Sequence, residues 1–411
     1  MTRVLHRLAE RILGRLLIGW LQLIHNRARL LAAVGGVTFA NVLIFMQLGF
    51  MGALFESSVQ GHHEFDADIV LTSADYLSLR EANPIPRSRI GRLLGHPSVE
   101  SATAVHQATV IWDDGRTGAN INFRLNGVDP DARVFVKPEV QALLRLLTEP
   151  DTVIVDRRTR ELGLWLIDAV DAGERPEIEI AGRRVCVVGL FEQGASFDVD
   201  GGLIASTATF SRLVPGRAEA TPTLLLGCLA SDTIETAGLR PRAAVSAAAA
   251  DAVVEQLRAS QPEADVAVYT KQGFIDVERS YQVKQSPIGI VFGFGVVMGL
   301  IVGMIIIYQV LSTDVQDHLA EYATFKAMGY GPRFFLSIVF EEAVCLAGMG
   351  FLPALLIASA LYSLAASATA LPISMPWDRP ILVFCLTVVA AVISGAVATR
   401  RLGSADPAEL F

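Results

Sequence analysis

STDVQDHLAEYATFKAMGYGPRFFLSIVFEE, residues 312–342, is a polar stretch pinned between two long apolar runs. Asp314, Asp317, Glu321, Lys326 and Arg333 bar it from a bilayer interior, where each charge costs kilocalories. Residues 318–328 hold good helix formers and neither Gly nor Pro, so they predict a helix, with Glu321 near the start where the dipole favours a carboxylate. Tyr322, Phe325 and Met328 stand three residues apart and share a face, while Glu321 and Lys326 point elsewhere. Gly329 supplies a C-terminal stop, and Gly331-Pro332 re-aims the chain. A short amphipathic helix held at a membrane surface in this way is placed to receive a push from a soluble partner.

The runs on either side are two of four. Residues 30–55, 286–313 and 381–399 carry no charge, and 337–365 carries only Glu341 and Glu342 near its start. Each exceeds or approaches the roughly 20 apolar residues that cross hydrocarbon. The totals agree: 411 residues that are 52% hydrophobic and only 18% charged are too apolar for an ordinary soluble protein. A net charge of −8 argues against a nucleic-acid partner. Arg27 and Arg29 precede the first run, Glu56, Glu64, Asp66 and Asp68 follow it, and Arg400-Arg401 close the fourth. By the positive-inside rule both termini and residues 314–336 are cytoplasmic, and residues 56–285 lie outside. Residues 1–29, with Arg3, Arg7, Arg11 and Arg15 at a four-residue step, predict a cytoplasmic amphipathic helix on an anionic membrane surface. Residues 366–380 form an outer hairpin with Trp377 at the interface, and 400–411 form a cytoplasmic tail.

The outer region reads as mixed α/β. Strands are predicted at 68–72, 102–112, 120–128, 152–155, 177–190, 223–229 and 265–269, and helices at 87–94, 138–147, 207–213, 243–260 and 271–285. A strand, a helix and a strand at each end suggest two similar α/β halves. In the second span Gly295, Gly299 and Gly303 fall four apart, a small-residue strip for close helix packing against a second copy or another span. Glu341 and Glu342 sit near enough to the inner interface to reach water or Arg400 and Arg401. Cys186 and Cys228 share the outer region and read as two buried thiols, with a disulfide as the alternative.

No catalytic constellation is legible. None of Lys137, Lys271, Lys284 and Lys326 follows a glycine, so there is no phosphate-cradling loop and no cofactor is expected on this chain. His62-His63 with Glu64 and Asp66 read as a solvated linker, not a metal site. Residues 194–198 miss the G-x-S-x-G pattern, and the Asp-rich stretches at 113–115 and 198–202 read as turns.

EYATFKAMGY (321–330) resembles the cytoplasmic coupling segment of MacB/FtsX-type ABC transporter permeases, most closely the DevC group. The resemblance continues in WLQLIHNRARLLAAVGGVTFANVLIFMQLGFMGALFESSV (20–59) and ATRRLGSADPAELF (398–411). It implies an α-helical membrane protein of four transmembrane helices, with an extracytoplasmic mixed α/β domain between the first and second spans. That domain would be porter-like with a β-rich insertion near 114–220. Glu321, Tyr322, Thr324, Phe325, Lys326, Met328, Gly329 and Tyr330 would then engage a separate cytoplasmic ABC ATPase, which hydrolyses the ATP. The resemblance further implies a homodimer in the bacterial inner membrane, among membrane lipids, with a periplasmic adaptor (membrane fusion) protein and an outer-membrane channel. The cargo would be a lipid, glycolipid or other amphiphile. LolC/LolE-like lipoprotein extraction and FtsX-like regulation of a cell-wall hydrolase are the alternatives.

Overall fold

The computed structural model describes residues 23, 27–78, 83–230, 245–260, 265–284, 286–318, 321, 324 and 328–403. The predicted helix over 1–29 therefore falls almost wholly outside the described residues, as does the tail beyond 403. In chain order the elements are α1 (Arg27–Glu64), β1 (Ile69–Ser73), α2 (Ile90–Leu94), β2 (Val99–Asp114), β3 (Ala119–Val128), α3 (Pro138–Leu143), β4 (Thr152–Asp156) and α4 (Leu164–Asp171). There follow β5 (Glu177–Ile180), β6 (Arg183–Phe191), β7 (Gly201–Ser206), α5 (Thr207–Leu213), β8 (Leu224–Leu229), α6 (Ala247–Ala259), β9 (Val266–Thr270) and α7 (Lys271–Lys284). The chain ends with α8 (Pro287–Asp317), α9 (Pro332–Thr369) and α10 (Asp378–Gly403). It divides into two compact units, one built on residues 1–52, 290–365 and 373–411, the other on 53–289 and 366–372.

The first unit is a bundle of apolar helices. α1, α8, α9 and α10 are each long and apolar enough to cross a membrane. In such a solvent, helices gain little from burying apolar surface against each other, so close approach and buried hydrogen bonds hold them. Both devices are present. Small residues let the helices of one core approach, where Ala33, Ala343, Ala347, Ala391 and Ala398 pack with Val37, Leu311 and Val339. The Thr38 hydroxyl donates to the Gly350 carbonyl at 3.1 Å, Thr387 to Asn41 Oδ1 at 2.7 Å, and Ser394 to the Met304 carbonyl at 2.9 Å. Pro353 lacks an N–H and leaves the Met349 carbonyl of α9 without its helical donor; Thr38 donates to the next carbonyl along, that of Gly350.

The second unit is organised by β2. Its 16 residues serve two sheets: Val99 to Val105 pair with β8, and His106 to Asp114 pair with β3. The first sheet runs β2-β8-β1-β9, antiparallel throughout. With α2 between β1 and β2, and α6 between β8 and β9, this is a split β-α-β arrangement of ferredoxin-like order. Leu93 of α2 and Val253, Val254 and Leu257 of α6 cover one face over Ile69, Leu71 and Leu225. Phe65, Tyr76 and Phe274 pack with Val70, Val105 and Leu226 on the other. Burial on both faces explains why β1 and β8 are apolar without alternation.

The second sheet joins the far half of β2 to β3, β7, β4, β6 and β5. Trp112, Phe123, Leu125, Val155, Val187 and Phe210 are among its core. The strand predicted at 177–190 is in fact a hairpin, because Ala181 and Gly182 both take positive φ, 51° and 73°, and turn the chain in two residues. β7 was not predicted, since Gly201-Gly202 after Asp200 reads as a turn. The glycines instead permit contact: a Cβ at Gly201 would lie 2.0 Å from the Thr159 hydroxyl oxygen, and one at Gly202 2.7 Å from Gln193 Oε1. α4 also escaped prediction. Cys186 carries a free thiol and the Cys228 thiol donates to the Asp66 carbonyl at 3.1 Å, so the two do not bridge.

His62 is not part of a solvated linker. α1 runs through it, and its ring is buried 4.7 Å from that of Phe274, with no partner for either nitrogen. Burial, helped by Arg124, His63 and Lys271, lowers its pKa to about 3 from 6.5. His106, buried 5.3 Å from the Phe210 ring, is lowered to about 4 by burial and by Arg87 and Arg217. Both histidines take up protons on unfolding. This domain therefore loses stability as pH falls below about 6.5, by up to ~1.4 kcal/mol per pH unit for each. Melting the full chain in detergent from pH 7 to 4.5 is expected to show that acid slope, and His62→Phe with His106→Phe to flatten it. An unchanged slope in the double variant contradicts the assignment.

Candidate functional site

The site suggested by the sequence is the inner end of the bundle, where α8 hands over to residues 318–331. Of the predicted coupling residues, Glu321, Thr324, Met328, Gly329 and Tyr330 are described, and Tyr322, Phe325 and Lys326 lie outside the described residues. Glu321 and Thr324 have helical backbone, and the Met328 N–H donates to the Thr324 carbonyl at 3.0 Å. Gly329 takes φ +92°, a conformation that side chains resist, and ends this turn. Met328 is 61% exposed, and Tyr330 packs its ring 4.5 Å from Phe334 at the start of α9. The described part of the segment thus presents an apolar side chain to solvent on a turn fixed at both ends.

Directly behind it, three helices are tied by charge. Arg29, in the first turns of α1, places Nη1 2.6 Å from Asp317 Oδ2 and 3.4 Å from Asp314 Oδ1, and Nη2 donates to the Val310 carbonyl at 3.0 Å. His318 Nδ1 is 3.8 Å from Asp314 Oδ2. Glu342 of α9 completes the group, with Asp314, Arg29 and Glu341 as its charged neighbours. Its side chain does not reach water, contrary to the sequence expectation: the residue is 0% exposed, and its carboxyl lies against that of Asp314. The helical positions at 341 and 342 differ by about 100°. Only one of the two can face outward, and here Glu342 is the inward one. The side chains of Arg400 and Arg401 lie outside the described residues.

The glycine strip of α8 faces α1. A Cβ at Gly295 would lie 2.5 Å from Gln47, one at Gly299 2.9 Å from Ile44, and one at Gly303 3.3 Å from Ala40. Gly295, Gly299 and Gly303 therefore serve contact within the chain. Among the described residues no three His, Cys, Asp or Glu side chains converge as a metal site.

Residues 293–407 match the family model described as FtsX-like permease C-terminal, a span that contains the inner segment and most of α8, α9 and α10. This agrees with the resemblance to MacB/FtsX-type permeases carried by the sequence. No curated protein matches the chain. Among solved structures, the periplasmic region of MacB from Actinobacillus actinomycetemcomitans is similar at 13% identity, covering 54% of this chain and 96% of that one, with a TM-score of 0.32. The extracellular domain of the noncanonic ABC-type transporter YknZ from Gram-positive bacteria shares 13% identity, covering 40% and 84%, with a TM-score of 0.25. A domain of a permease protein from Porphyromonas gingivalis shares 13%, covering 51% and 90%, also with a TM-score of 0.25.

The charged group yields a test of opposite signs. Arg29→Ala strands Asp314 beside Glu342 without a cation and is expected to lower stability by about 3 kcal/mol. Glu342→Gln replaces a buried carboxyl that lies against Asp314 with a neutral amide of nearly the same shape and is expected to be neutral or stabilising. Thermal unfolding of both variants in the same detergent separates them, and equal losses contradict this geometry.

Proposed function

We propose that this chain, an FtsX-like permease over residues 293–407, is the transmembrane subunit of an ABC-type exporter whose ATPase is a separate polypeptide. The observation that carries the reading is the family match across the polar segment between α8 and α9. The ATPase docks from the cytoplasm on Glu321, Tyr322, Thr324, Phe325, Lys326, Met328, Gly329 and Tyr330. Nucleotide-dependent docking biases a two-state bundle, and α1 and α8 carry the change toward the α/β domain.

In this reading both termini are cytoplasmic, the membrane is a bacterial inner membrane, and residues 56–285 stand outside it. Two copies of the chain pair with two ATPase subunits. By the DevC-like resemblance, a periplasmic adaptor and an outer-membrane channel complete the path, and the cargo is a lipid, glycolipid or other amphiphile. The chain itself performs no chemistry: it is a lever moved by ATP hydrolysis elsewhere.

Lys326→Glu, Phe325→Asp and Met328→Asp are each expected to abolish ATPase-dependent transport and to release the ATPase from the tagged chain, while membrane insertion stays intact. Affinity purification from membranes, with the retained proteins identified, reads both results. Retention of the ATPase by all three variants overturns the coupling assignment. Recovery of a cell-wall hydrolase in place of an adaptor favours the regulatory alternative.

A further inference from the structure

β3 alternates strictly. Ile121, Phe123 and Leu125 enter the core, which leaves Asn122, Arg124 and Asn126 on the opposite face. A polar face of this kind is ordinarily left to water. Here it is roofed. Ser57, Gln60 and Glu64 from the end of α1, Glu278 from α7 and Gln193 from the loop after β6 close over Arg124, Asn126 and Gln107. All of them belong to the second unit. They enclose a cavity of ≈ 50 Å³, room for about three or four water-sized bodies and so for a small polyatomic group.

The polar groups in the cavity are not balanced among themselves. Gln107 is 6% exposed; its Nε2 donates to Asn126 Oδ1 at 2.8 Å, but its Oε1, buried, has no partner. The carboxylates already have donors: Glu64 takes the Lys137 ammonium at 2.7 Å, and Glu278 takes the Tyr76 hydroxyl at 2.8 Å. Asp198, also on the lining, is partnered as well. Arg124 is half-buried and, among the described residues, makes neither a hydrogen bond nor an ion pair. A guanidinium offers five donors in a planar fork, and here they face the cavity with no protein acceptor among the described residues. The chemistry that satisfies such a fork is a phosphate or carboxylate held by two parallel bonds. Gln107 Oε1 asks for a donor, which a hydroxyl on the same ligand supplies.

We propose that this cavity binds a small hydroxylated oxyanion, with its phosphate or carboxylate oxygens on Arg124 and a hydroxyl donating to Gln107 Oε1. That chemistry occurs as the head of an anionic amphiphile and as a free hydroxy-acid or sugar phosphate. The site rests on the α/β domain alone and requires no ATPase, so its failure leaves the transport reading untouched.

The test uses the full chain in neutral detergent, titrated calorimetrically with glycerol 3-phosphate, with dihexanoyl phosphatidylglycerol and with inorganic phosphate. Saturable binding of a hydroxylated probe is expected. Arg124→Gln should weaken it by at least about tenfold, and Gln107→Leu should weaken every probe that offers a hydroxyl, the P–OH of inorganic phosphate included. Arg124→Lys keeps the charge but not the fork, and is expected to bind at an intermediate level. Arg175→Gln, at an exposed arginine paired with Glu149, is the charge-matched control and should bind as the parent does. Tighter binding of the short-chain lipid assigns the site to an amphiphile head, and tighter binding of glycerol 3-phosphate assigns it to a free acid. Absence of saturable binding by all three probes overturns the proposal, as does unchanged binding by an Arg124→Gln protein that melts like the parent.

Discussion

The cost of an ionised group in hydrocarbon governs where this chain can turn. Each long apolar helix begins or ends close to its charges, and where charges do enter the bundle they are grouped rather than scattered. Arg29 gathers Asp314 and Asp317 at one end, and Glu342 is tucked against the same group. One cation thus links the start of α1 to the end of α8, with α9 beside them. The polar segment that follows α8 begins at this cluster and is held at its far end by the Tyr330 ring against Phe334. Side-chain hydroxyls repeat the principle deeper in the bundle, where Thr38, Thr387 and Ser394 each reach across to a neighbouring helix.

In the α/β unit the equivalent constraint is a shared strand. β2 gives its first half to the split β-α-β sheet and its second half to the β-rich one. Neither sheet can shear without dragging backbone hydrogen bonds of the other. The segment at 366–372, which follows the apolar stretch of α9, is held by the same unit, since Arg160 donates to the Thr369 carbonyl at 3.0 Å while pairing with Asp200 at 2.9 Å. The chain thus enters this unit from α1 and leaves it into α8, and it touches the unit once more between α9 and α10.

Much of this was legible because periodicity is a local property. Four charge-free runs, the alternation of β3 and the helix over 207–213 could be read directly from the residues. Failures came where a residue's role is set by something distant in sequence. Gly201-Gly202 looked like a turn because the Thr159 and Gln193 side chains that demand their smallness lie elsewhere. His62 looked solvated because Phe274, more than two hundred residues away, supplies its burial. Glu342 looked able to reach water because its spacing from the interface was visible and its direction was not. The alternation of β3 announces a polar face at Asn122, Arg124 and Asn126, and nothing local announces the roof over it.

A surface can be committed only once. The smooth side of α8, where Gly295, Gly299 and Gly303 stand, is occupied by Gln47, Ile44 and Ala40 of the same polypeptide. What α8 still offers is its bulky side, where Ile290, Val291, Phe294, Val297 and Ile305 are each more than half exposed. Any other protein that meets this helix within the lipid must do so through large branched and aromatic side chains. Such a seam is wider and looser than a glycine-lined one, and it is better suited to parting and re-forming than to permanent closure.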